Sequence, residues 1–237
     1  MAKRTGWNVP KIWEGEDCYI IGGGPSWLTQ FKIPQNVIDN VRDKTKKMKA
    51  FSPYLKFLHD KRVIGVNGAF QLGPWVSICA FMDEDTFEEH EIELMTKFRG
   101  LKVTTNDNIM HKKYIKHFIK FLQKEPNKQH GISDLPGSHG GNGNSGAFAI
   151  NVAHKLGVKR IFLFGFDMNM TNGYSHFHND YPGPWKPDIP ATHLRDFPDI
   201  AKDAKRLGLQ IYNVNPNSSI EQFPKITLQE LKKIVKE

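Results

Sequence analysis

The chain has 237 residues, 39% apolar and 24% charged, enough for one large α/β domain or two small ones with a sizeable core. It carries 33 Lys and Arg against 25 Asp and Glu, a formal net charge of +8, with only two cysteines. No apolar run approaches the ~20 residues that cross a bilayer, and the basic start "MAKRTGWNVPKIWEGED" lacks the apolar stretch of a secretory signal. Cys18 and Cys79 both sit in apolar, strand-like runs and make no disulfide framework, so the expectation is a cytoplasmic protein with reduced core cysteines.

In chain order, strands are predicted at "CYIIG" (18–22), "RVIGVNG" (62–68), "WVSICAFM" (75–82), "LKVTT" (101–105), "RIFLFGF" (160–166) and "LQIYNV" (209–214). Several are continuously apolar rather than alternating, the pattern of strands buried on both faces of a parallel sheet. Helical signals fall between them. "MHKKYIKHFIKFLQK" (110–124) places Ile115, Phe118, Ile119 and Leu122 on one side of a predicted helix, and Lys112, Lys116, Lys120 and Lys124 on another. "SGAFAINVAHKLG" (145–157) and "FPDIAKDAKRLG" (197–208) each end at a glycine, a common helix stop. Thr227 and Glu230 have capping-box spacing before "LKKIVKE". This alternation predicts a single doubly wound, mostly parallel α/β domain of Rossmann-like type over 1–237, with its core in 17–220. The irregular stretches 125–144 and 168–195 are rich in Gly, Pro, His and Asn. Loops of that length are commonly functional or mobile, and 168–195 is expected to act as a lid-like active-site loop.

The basic excess is clustered. Residues 42–62 hold eight Lys and Arg and two Asp, or +6, and residues 97–124 hold eight and one Asp, or +7. Such patches suit a polyanion such as DNA or an acidic glycan, and equally suit solvated faces.

Five constellations carry chemistry. Gly22-Gly23-Gly24-Pro25-Ser26 follows the first strand, where bare backbone can cradle phosphate or simply turn tightly; it is neither G-x-G-x-x-G nor a P-loop. Asn67-Gly68 ends the second strand. Asn144-Ser145-Gly146 opens a helix whose first N–H groups can hold an anion, or serves only as a cap. Asp167 follows the apolar "FLFGF", placed to bind ribose or a metal or to cap a turn. In "YSHFHNDY", His176, His178 and Asp180 alternate, and a neutral histidine near pH 7 suits the role of general base. The alternation is also compatible with a metal and is similar to the H-x-H-x-D-H signature of metallo-β-lactamase-like hydrolases, with Tyr181 in place of the last His.

Taken together, "YIIGGGPSW", "GVNGAF", "NSGAFAINVAHKLGVKRIFLFGFDM" and "IYNVNPNSSI" resemble, in order, segments of bacterial sialyltransferases of the Campylobacter lipooligosaccharide type. The same skeleton is similar to that of 6-hydroxymethylpterin diphosphokinase-like proteins, some of them phage-encoded. The resemblance implies a transferase with a nucleotide-activated donor, most directly a glycosyltransferase acting on a hydroxyl acceptor; the basic surface leaves modified phage DNA open as that acceptor beside a glycan. It places Gly23, Gly24, Ser26, Asn67, Asn144, Ser145, Gly146 and Asp167 around the nucleotide. It makes His176 or His178 the base, with Tyr174 and Tyr181 as candidates to assist the leaving phosphate. No metal or cofactor is implied, the nucleotide-sugar being substrate. The alternatives are a Mg²⁺-dependent diphosphokinase, with Asp83 or Asp85 of "MDEDTFEE" holding the ion, and a non-catalytic nucleotide- or nucleic-acid-binding protein.

Overall fold

Runs such as "CYII" and "IFLF" are apolar at every position, so a strand made of them is stable only when both faces are covered. The computed structural model, which describes residues 5–111, 117–180 and 189–236, satisfies that condition. Its strands are β1 (Asp17–Ile21), β2 (Arg62–Val66), β3 (Ile78–Phe81), β4 (Leu101–Thr104), β5 (Ile119–Phe121), β6 (Gln123–Lys124), β7 (Ser138–His139), β8 (Arg160–Phe164) and β9 (Gln210–Asn213). Seven of them form one sheet in the order β5-β4-β3-β2-β1-β8-β9. Every neighbouring pair is parallel, with Tyr19 of β1 between Val63 and Phe162; β6 and β7 pair separately.

The helices are α1 (Ser26–Gln30), α2 (Gln35–Arg42), α3 (Glu84–Thr96), α4 (Asp107–Met110), α5 (Ser145–Lys155), α6 (Ile189–Leu194), α7 (Phe197–Leu207) and α8 (Leu228–Ile234). Because side chains alternate along a strand, β1 feeds two cores. Tyr19 and Ile21 join Trp27, Val41, Phe87 and Leu231 on the α1, α2, α3 and α8 side. Cys18 and Ile20 join Phe148, Val152 and Ile200 on the α5 and α7 side. The local signals explain the helix ends. Asn144 caps α5 by accepting from Ala147 N at 2.8 Å. Gly208 closes α7 at φ +69°, the left-handed turn glycine adopts freely. Thr227 and Glu230 form the reciprocal capping box of α8.

Two expectations are corrected. Residues 119–121 are strand β5 and 123–124 strand β6, so the predicted helix over 110–124 does not continue through Lys120 and Lys124; Lys112, Lys116 and Ile115 lie outside the described residues. Phe118, expected on the buried side, is 59% exposed. Nor is 168–195 all loop, since α6 occupies 189–194. Residues 125–144, also read as loop, are tied down by asparagines of α5 and the loop itself. Asn142 exchanges both amide bonds with Gly131 at 2.9 Å, and Asn151 Oδ1 accepts from Ser133 N and Gly140 N.

Candidate functional site

The chain lays β2 to β5 on one side of β1 and then returns to add β8 and β9 on the other, so the strand order reverses between β1 and β8. Open parallel sheets bind ligands at such a switch point, beyond the C-terminal ends of the strands. A cleft opens there. The turns after β1 (Gly22–Gly24), β2 (Asn67), β3 (Met82 and Asp83) and β8 (Gly165–Met168) line it, with the start of α5 (Asn144–Gly146), Ser175, His176 and His193.

The glycines after β1 are there because two loops interlock. Gly24 N donates to Gly165 O at 2.9 Å. A Cβ on Gly24 would lie 2.6 Å from Asp167 Cγ, and one on Gly23 would lie 2.6 Å from His176 Cδ2. The missing side chains thus leave space that Asp167 and His176 fill, and the backbone itself faces the cleft. Asn67 lines the opposite wall at φ +50°, a left-handed conformation that asparagine tolerates.

Asp167, 1% exposed, is the knot of the site. Its Oδ1 accepts from Ser26 Oγ at 2.5 Å and Asn215 Nδ2 at 2.9 Å, and its Oδ2 from Ser26 N at 2.9 Å and Thr171 Oγ1 at 3.3 Å. Burial pushes its carboxyl above the ordinary value, opposed by those donors. Ser218 Oγ supports the same turn by donating to Phe166 O at 2.6 Å, which explains the late "NPNSS" segment. Ser26 does not line the cleft; its N–H and hydroxyl are both spent on Asp167.

At the start of α5, Asn144 is likewise committed. Besides capping Ala147, its Nδ2 donates to His193 O at 3.2 Å and to Asp196 Oδ2 at 2.9 Å. Asp196, fully buried, also accepts from Gly143 N and meets His130 Nδ1 at 2.7 Å. That bracing presents the first turn of α5, at Ser145 and Gly146, to the cleft, where no i−4 carbonyl serves its N–H groups. A helix end of this kind attracts anions.

The two candidate bases are placed differently. Phe177 is buried against Trp27 and Phe51, with ring centroids 5.0 and 6.2 Å away, and its N–H donates to Gly23 O. This anchor holds His176 in the cleft wall, its Nδ1 2.9 Å from Ser175 Oγ. His178, 7% exposed, is packed edge-on to Phe177 and does not line the cleft; its Nδ1 accepts from Asp180 N. Burial drives both imidazoles down to about 3, so both are neutral at pH 7. Tyr174 lies under the Arg42 guanidinium and outside the cleft, and Tyr181 falls outside the described residues. Among the described residues, the group whose ligand atoms lie within 4.8 Å of one another is Glu89, His90 and Asp180, so His176 and His178 are not part of such a cluster.

Sequence reasoning passed over His193, Asp196 and Thr171. Their only signal was position, inside or next to the irregular 168–195 stretch. Burial lowers the His193 pKa, while Asp196 and Asp83 counter it. Asp83 opens onto the cleft, its carboxyl raised by partial burial against a hydrogen bond from Ser145. In the basic cluster 42–62, Lys44, Lys47, Lys61 and Arg62 face Asp180, Glu93, Asp60 and Glu16, so part of that charge is compensated. No helix of the described residues is long and apolar enough to cross a membrane.

Against known structures, the chain aligns over 98% of its length with 38% of the MAf glycosyltransferase from Magnetospirillum magneticum AMB-1, at 12% identity and a TM-score of 0.59. The two share a fold. The sialyltransferase CstII from Campylobacter jejuni, solved with the substrate analogue cytidine-5′-monophosphate, aligns over 90% of this chain and 86% of its own, at 15% identity and a TM-score of 0.49. The monofunctional α-2,3-sialyltransferase Cst-I from Campylobacter jejuni aligns over 90% and 81%, at 15% identity and 0.48. No protein-family model matches the sequence, and no curated protein matches it significantly.

Proposed function

We propose that the chain is a transferase using a nucleotide-activated donor, a glycosyltransferase of sialyltransferase-like kind that acts on a hydroxyl acceptor. The observation that carries the reading is the pairing, in one switch-point cleft, of an anion-receiving helix start with a desolvated neutral histidine. The shared fold with a glycosyltransferase supports it. In the proposed reaction the acceptor hydroxyl gives its proton to the His176 ring as its oxygen attacks the donor carbon. The bond from that carbon to the phosphate oxygen breaks, and the departing phosphate keeps the electron pair. N–H groups at Ser145 and Gly146 and the bare Gly22–Gly24 backbone stabilise that charge. Donor phosphate beside His176 raises the ring's proton affinity from its low resting value, since an adjacent negative charge favours the protonated form. The proposal stops at a hydroxyl acceptor, because the lysine-lined helix read as a polyanion anchor is not formed through 119–124.

A second reading, Mg²⁺-dependent diphosphoryl transfer, is favoured by Asp83 alone. Mg²⁺ is commonly held by one or two carboxylates with substrate phosphates. Asp83 supplies one, while the oxygens of Asp167 are taken by four donors.

Thermal unfolding with a panel of nucleotides and nucleotide-sugars tests both. A ligand at 100 times its Kd adds ~2.7 kcal/mol of apparent stability, several degrees of Tm in a chain of this size. A shift from a nucleotide-sugar that persists in EDTA supports the first reading, and one that requires Mg²⁺ supports the second. No shift from any nucleotide overturns both.

A further inference from the structure

The loop that carries His176 has a second face. Thr171 and Tyr174 line a separate pocket, whose other wall comes from Leu28 and Thr29 of α1 and Ile38 of α2. Arg42, the last residue of α2, also lines it. This arginine is only 8% exposed. Its guanidinium carbon lies 3.4 Å from the centroid of the Tyr174 ring, and its Nε is buried with no hydrogen-bond partner.

A buried cation is costly unless paired. Among the described residues, no carboxylate stands within ion-pair distance of Arg42. The acid one turn earlier on α2, Asp39, is exposed and gives its Oδ1 to Gln35 Nε2 at 2.7 Å, while still exerting some charge on the guanidinium. Tyr174 contributes a cation–π contact and a hydrogen bond, which offset part of the desolvation. What remains is a rigid, planar donor set at the wall of a half-apolar pocket, the geometry that takes a carboxylate or phosphate.

We propose that this pocket binds the anionic end of a small molecule, a carboxylate or phosphate carried on an apolar body, with Arg42 as counter-ion and Leu28 and Ile38 against the body. The site is separate from the switch-point cleft and stands whether or not the transferase reading holds. Its occupant also touches the cleft's wall. Thr171 Oγ1 donates to Asp167, and Tyr174 precedes His176 by two residues, so a bound anion braces the loop from behind.

The test is a ¹⁵N NMR titration of the full chain with benzoate and with phenyl phosphate, reading the Arg42 Nε–H signal and the Ser145 and Gly23 amides. The expected result is a saturable shift of the Arg42 signal, with the more effective probe telling carboxylate from phosphate. Arg42→Gln should weaken binding at least about ten-fold, equivalent to ~1.4 kcal/mol. Thr29→Phe, which fills the pocket from an exposed position and leaves Arg42 in place, should do the same and serves if Arg42→Gln fails to fold. The nucleotide-induced Tm shift should persist in Thr29→Phe, which separates this site from the cleft. The proposal is overturned if the Arg42 signal does not move up to roughly ten times a millimolar Kd. It is equally overturned if the probes shift only the Ser145 and Gly23 amides, or if Thr29→Phe binds as wild type does.

Discussion

Asp167→Asn exchanges a single atom in the most heavily bonded carboxylate of the cleft. The amide must set its NH₂ group where one of the two oxygens stood. In the place of Oδ2 it would confront the backbone N–H of Ser26, a donor that cannot turn round. In the place of Oδ1 it meets the Ser26 hydroxyl, which can rotate to accept, and Asn215. Asn215 must then flip its own amide and give up the bond its Oδ1 accepts from Asn217 N at 3.0 Å. The better orientation therefore loses one hydrogen bond outright, about 1 kcal/mol, and converts charge-assisted bonds to neutral ones worth ~1 kcal/mol less each. Relief of the buried charge cancels the second of these losses, since burial outweighs the donors in setting this carboxyl's pKa. A net loss of about 1 kcal/mol lowers Tm by roughly 2–4 °C at this chain length. Calorimetry at pH 7.5 measures it. A Tm within about 1 °C of wild type would refute the view that this carboxylate ties the loops after β1 and β8 together.

Gly23→Ala places a methyl 2.6 Å from His176 Cδ2, roughly 1 Å inside ordinary contact distance. The ring must turn, and turnover should fall on the order of 10²-fold with donor affinity nearly unchanged; unaltered turnover in the folded variant removes His176 from the reaction. His176→Ala should lower kcat by ~10²–10⁴-fold, again at constant donor affinity, whereas His178→Gln, whose side chain stands outside the cleft, should leave kcat within a few-fold. Acid should destabilise the fold. Burial holds His176 and His178 near 3 and His139 and His154 near 4, against an ordinary 6.5, so the unfolded chain takes up protons that the folded chain refuses. Their contribution is complete above about pH 6.5 and is lost as pH falls towards those values; for His178 alone it amounts to ~2 kcal/mol by pH 5. His178→Gln should therefore narrow the gap between Tm at pH 7.5 and Tm at pH 5.0, and an unchanged gap would show that His178 is not desolvated.

Where a single local rule decided the outcome, the sequence was readable. Strand β8 was legible because "IFLF" can be stable only between two covered faces, and α8 because Thr227 and Glu230 satisfy each other's backbone. Residues 119–121 were misread because "IKF" fits two periods at once. With Ile119 and Phe121 buried and Lys120 half-buried, it is also a strand with one covered face, and its place at the sheet edge could not be known before the strand order was. The cleft was half legible. Turns after apolar runs announced Gly23, Asn67 and Asp167, since a parallel sheet gathers all such turns on one edge, and a helix-start signal announced Asn144. That His176 and Asp167 fill the volume the glycines vacate, and that Ser26 faces Asp167 rather than the cleft, depends on contacts between residues 141 or more positions apart. No local pattern encodes those.

The interior position of β1 also dictates an order of events as the chain is synthesised. Residues 17–124 can assemble five neighbouring strands as they emerge, yet β1 keeps a bare hydrogen-bonding edge until Arg160–Phe164 arrives. The sheet face carrying Cys18, Ile20, Ile64 and Ala80 stays uncovered until α5 and α7 are made. A nascent or truncated chain that stops near residue 140 therefore exposes both an apolar sheet face and an open hydrogen-bonding edge along β1, the combination that favours association between chains. The feature that creates the cleft in the finished molecule makes the half-finished one sticky, and the protein leaves that state only when its last third closes over its first strand.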